Sequence, residues 1–167
     1  SAQGAAAAAE PLKRQRLQAD QRLAALRAAL PAQAGEQLQM LDELAKGLAD
    51  TRGKVDALTI ETPVAVGWYT AQVEKWLARI GLLQRQAPDA EFSRQLNAYF
   101  YLVSAKEFYG RERALINAAL NSRKPLGEQG LRNLNAIVAR QATFEALLRA
   151  SADPVDAAPF DEALKGK

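Results

Sequence analysis

Lys106-Glu107-Phe108-Tyr109-Gly110-Arg111-Glu112-Arg113-Ala114 sits in the middle of a long helical pattern, and its phase decides the fold. Leu96, Phe100, Val103, Glu107, Gly110, Ala114 and Asn117 recur at alternating steps of four and three. Tyr99, Leu102, Lys106, Tyr109, Arg113, Ile116 and Leu120 form a neighbouring stripe with the same rhythm. Such spacing belongs to an amphipathic helix and not to a strand. Asp89 follows Pro88 as a candidate N-cap, so the helix is expected to start there and run to about 121.

Working outward, breakers divide the rest of the chain. Pro11 suits a first helical turn, and Leu12, Leu23, Leu26 and Leu30 give a stripe that ends before Pro31. A second helix fits about 36–58 on Leu38, Leu41, Leu44, Leu48, Val55 and Leu58, with Gly47 and Gly53 inside it. Each glycine there costs about 1 kcal/mol relative to Ala. Thr62-Pro63 opens a third helix to about 86, carrying Val66, Tyr69, Val73, Trp76 and Ile80 on one side, and its Trp68, Tyr69 and Trp76 read as core or interface aromatics. After Lys124-Pro125-Leu126-Gly127, a fifth helix fits about 128–150 on Leu131, Leu134, Val138, Gln141, Phe144 and Leu148. No alternating run supports a strand. The expectation is an all-α, antiparallel bundle of about five helices that dimerises. The bundle would occupy 11–150, between a low-complexity loop over 1–10 and a disordered or truncated segment over 151–167.

Composition removes most chemistry. The chain has 167 residues, no Cys and no His, with Lys+Arg 22 against Asp+Glu 19. Without Cys there is no disulfide, thiolate ligand or cysteine nucleophile. Without His the usual general base, the commonest metal ligand and every Ser-His-Asp arrangement are gone. A carboxylate-bridged metal site in a bundle needs Glu-x-x-His pairs, so no metal, cofactor or catalytic residue is expected. The basic cluster Lys13, Arg14, Arg16 and Arg22 is interrupted by Asp20 and lacks interleaved aromatics, which argues against nucleic acid as a partner. No stretch approaches the roughly 20 apolar residues of a membrane span.

Charges in the middle of an apolar seam need a reason. Glu107, Arg111 and Arg113 could be ordinary helix-surface or interhelical ion pairs; the Glu107–Arg111 spacing alone is worth a few tenths of a kcal/mol. They could instead line an anion pocket, because a guanidinium in an apolar wall forks onto a planar oxyanion. Gly110 would then provide clearance for a ligand or a neighbouring backbone.

The same stretch resembles the K-E-x-x-G-x-E-R-A signature of the nitrate- and nitrite-sensing (NIT) domain family. Further segments match in order. Gln15-Arg16 with Asp20 resembles the family's Q-R-x-x-T-D, with Ala19 departing at the Thr. Leu48 through Asp56 resembles L-x-x-x-R-x-x-V-D, followed by Glu61 and Tyr69, and Gln141 with Phe144 resembles Q-x-x-F. The resemblance implies a helical ligand-binding domain of a bacterial signalling receptor, with nitrate or nitrite as ligand and an attached output domain. It implies an anion held by two arginines, one from an upstream L-Q-x-E-R-G helix and one that falls on Arg113. This chain begins after that segment, so the first helix and its arginine are expected to be missing. The expected ligand-binding residues are Arg113 as principal cation, Lys106 supplying field, Gly110 giving clearance, and Tyr109 or Ser104 donating a hydrogen bond. A periplasmic or extracytoplasmic location follows from the same resemblance, a cytoplasmic one being the alternative. The competing reading is a helical dimerisation module with no ligand, suited to the groove that a missing helix would leave.

Overall fold

A computed structural model describes the backbone of residues 2–152 and 154–165, and the side chains of 10–152 and 158–163. Six helices and no strand occur among the described residues: α1 (Ala2–Ala29), α2 (Gly35–Asp56), α3 (Thr62–Gln84), α4 (Ala90–Ser122), α5 (Gly127–Ser151) and α6 (Pro154–Lys165). The all-α helical bundle is as expected, and α2 to α5 lie within two residues of their expected bounds.

The ends differ. α1 begins at Ala2, where a loop over 1–10 was expected, and Pro11 lies inside the helix and does not open it. Ala5 to Ala9 are five residues of the highest helix propensity, which offsets an interior proline costing about 3 kcal/mol. α6 occupies a stretch expected to be disordered or truncated. Pro154 is its first residue, where a fixed φ and a missing N–H are harmless, and Pro159 lies inside it.

The chain divides into two compact units, Ser1–Gln72 and Val73–Lys167, with the division falling within α3. In the first unit α1 and α2 are antiparallel neighbours. Arg16 grips Asp56 with both Nη atoms at 2.8 and 3.0 Å, Arg52 donates to Asp20 at 2.7 Å, and Arg27 pairs with Asp42. On both helices the order is Arg followed by Asp four residues on, so these two pairs match only when α1 and α2 run antiparallel. Gly47 of α2 admits Trp68 of α3: a Cβ there would lie 2.7 Å from the indole Cζ2. Trp68 and Trp76 are half-buried and Tyr69 is exposed, so these aromatics edge the core and do not fill it.

In the second unit α4 starts as the sequence indicates, with the Asp89 carboxylate accepting the Phe92 N–H at 2.7 Å. It ends at Arg123, which takes the left-handed conformation at φ 53°. The antiparallel α4–α5 pair is packed by aromatic rings. Phe144 of α5 stacks on Phe108 at 5.7 Å between centroids and meets Phe100 edge-on at 6.2 Å. Such pairs add about 0.5–1.5 kcal/mol beyond area burial. Ala105, Phe108 and Leu148 are buried in this unit, Leu41 and Ala65 in the first.

Candidate functional site

Because α5 packs on the Phe108 side of α4, the neighbouring stripe meets it only through Tyr109 and Glu112 and otherwise lies open. Lys106, Tyr109, Gly110, Glu112, Arg113, Ile116 and Asn117 line an open groove of about 430 Å³ along α4. All four expected binding residues are therefore brought together, on one helix. Ser104 is not among them: it is buried, and its Oγ has no hydrogen-bond partner.

The charges sort by flank. Arg111 donates Nε to Glu107 at 2.9 Å and Nη2 to Glu74 at 3.0 Å, and its guanidinium lies 4.9 Å from the Phe108 ring centroid. Glu107 and Arg111 thus form the ion pair that the plainer reading of the seam anticipated. Lys106 and Arg113 do not join it, and neither makes an ion pair among the described residues. Both are exposed, so Arg113 projects beside an open groove and not from an enclosed apolar wall. Helical phase explains this: Arg113 lies two residues beyond Arg111, about 200° around the helix. Water screens a guanidinium so placed, and the groove supplies less low-dielectric strengthening than a closed pocket would.

Glu112, the acid lining the groove, accepts from Nε2 of the buried Gln141 at 2.7 Å. With Lys106 and Arg113 against Glu112, the lining carries a formal charge of +1. Gly110 interrupts the helix interior, yet nothing lies within 4 Å of where its Cβ would be. Helix packing does not explain that glycine. The Tyr109 hydroxyl donates to Glu145 of α5, and burial, followed by that carboxylate, pushes its pKa up to about 12. At neutral pH the phenol is a proton donor.

Sequence reasoning missed the residues behind Tyr109. Glu145 also accepts from Arg149 at 3.3 Å, and Arg149 reaches Asp161 of α6 at 3.0 Å. The four-residue spacing of Glu145 and Arg149 was a readable signal; the link to Tyr109 depends on helix pairing. It also left unread the pairing of Arg16 with Asp56 and Arg52 with Asp20, although all four stand in the resembling segments.

Among the described residues no cluster of acids could hold a metal, and no helix is long and apolar enough to cross a membrane. In comparison with known proteins, the family model NIT, described as nitrate and nitrite sensing, matches residues 1–167. No curated protein and no solved structure matches.

Proposed function

This chain belongs to the nitrate and nitrite sensing family, and from that premise we propose that it is the ligand-binding module of a bacterial signalling receptor, with its anion site in the α4 groove. The observation that carries the reading is two cations, Lys106 and Arg113, without ion pairs beside open space at Gly110. Arg113 forks onto two oxygens of a planar anion, Lys106 two turns away supplies field, and Tyr109 is a neutral donor. A monovalent anion brings the +1 lining to neutrality, which suits nitrate or nitrite better than a divalent oxyanion.

The response is a shift between helix arrangements that bind the anion unequally, with a coupling of about 1–3 kcal/mol. The sensory part spans residues 11–150, is homodimeric and lies outside the cytoplasmic membrane. Exposed Tyr99, Ile116 and Leu120 on the groove's own stripe favour an apolar partner surface there. A dimerisation module without ligand would use the same stripe.

Calorimetric titration with nitrate, nitrite and chloride tests the assignment. A hydrogen-bonded charge contributes about 1.5–3 kcal/mol, so Arg113→Ala should weaken nitrate binding about tenfold or more. Equal binding by wild type and Arg113→Ala, or no binding of either oxyanion, overturns it.

A further inference from the structure

We propose that Tyr109 is a two-position donor through which an anion in the α4 groove loosens the C-terminal helix α6. The inference rests on the anion site proposed above and adds the route by which its occupancy leaves the site.

Tyr109 belongs to two places at once. Its ring lines the groove with Lys106 and Arg113, and its hydroxyl donates across the helix pair to Glu145. Glu145 is fully engaged: Oε1 accepts from Tyr109 and Oε2 accepts from Arg149 Nη1 at 3.3 Å. Arg149 divides its fork, giving Nε and Nη2 to Asp161 at 3.1 and 3.0 Å. Four side chains thus run from the groove through α5 to α6.

An anion beside Tyr109 places a second negative acceptor against one phenolic hydrogen. When the hydroxyl turns to the anion, Glu145 is not left bare, because Arg149 already touches its other oxygen and can take both. Arg149 reaches Glu145 at 3.3 Å while holding Asp161 at 3.1 and 3.0 Å, so drawing its guanidinium onto Glu145 lengthens both contacts to Asp161. Both arrangements leave the buried end of the network satisfied, which is what a bistable element requires. α6 is the element poised to respond. It has 12 residues with Pro159 inside, too short to hold itself without tertiary ties.

Hydrogen exchange of the whole chain, in sodium nitrate against sodium chloride at equal ionic strength, reads the switch, with calorimetry on the same samples. Nitrate should speed exchange over 154–165 about fivefold or more, the size of an ordinary coupling. Glu145→Gln should still bind nitrate and lose that response. Asp161→Asn should exchange fast in both salts and still bind. Nitrate binding with unchanged exchange over 154–165, or a full response retained in Glu145→Gln, overturns the switch and leaves the anion site standing. A flat nitrate titration of the wild type overturns both, and calorimetry alone identifies that outcome.

Discussion

Replacing Gly110 by Ala asks why a helix interior carries a glycine that packing does not need. Nothing lies within 4 Å of the position the new methyl would take, so no clash opposes it. The gain is then the helix propensity difference, about 1 kcal/mol. For a chain of this length that corresponds to a Tm higher by about 2–4 °C without ligand. Nitrate at a hundredfold excess over its Kd adds about 2.7 kcal/mol to the wild type. A methyl pointing into an occupied groove removes about 1–3 kcal/mol of that, the usual cost of overpacking. Thermal melts with and without nitrate measure both effects, with Gly53→Ala of α2 as control, since it too has nothing within 4 Å and lies outside the groove. A ligand-free Tm below wild type would mean that the site is occupied by the protein itself. An undiminished nitrate increment would mean that Gly110 is not kept for the anion.

Gly47→Ala should behave oppositely to Gly53→Ala on the same helix: its Cβ meets the Trp68 ring at 2.7 Å, so denaturant melts should place it about 1–3 kcal/mol below the control. The Tyr109–Glu145 bond has a pH signature. The folded pKa, about 12, lies above the ordinary 10.0, so the bond's contribution is complete below pH 10 and drains away as pH rises through about 12. Near-ultraviolet tyrosinate absorbance should show a late component that Tyr109→Phe removes.

The helices of this chain were readable because their signals are local. The Asp89 cap, Pro63 at a helix start and the leucine stripes all act within a few residues, and α2 to α5 followed from them. The termini were misread because prolines were weighed more heavily than the alanine run before Pro11, and because a proline can begin a helix as well as end one. Within the site, the residues were legible but their partners on other helices were not. The Glu107–Arg111 pair could be read from its four-residue spacing, but the second bond of Arg111, to Glu74 of α3, could not, because it crosses between helices. The role of Glu145 was hidden for the same reason, since its bond to Tyr109 crosses between helices 36 residues apart.

The family-resembling segments divide by what their charges touch. Arg16, Asp20, Arg52 and Asp56 consume one another across α1 and α2. Gln141 and Phe144 are taken up by Glu112 and the Phe108 ring. Those residues explain themselves as clasps, since truncating any one leaves a charge, a polar atom or a ring face without its counterpart. Lys106, Gly110 and Arg113 gain no such explanation from their neighbours. A helix-breaking residue flanked by two cations without ion pairs costs the fold stability and returns none through the contacts described. A cost of that kind persists where something outside the chain offsets it, and under the proposed function that offset is a monovalent anion set against a groove lining of formal charge +1.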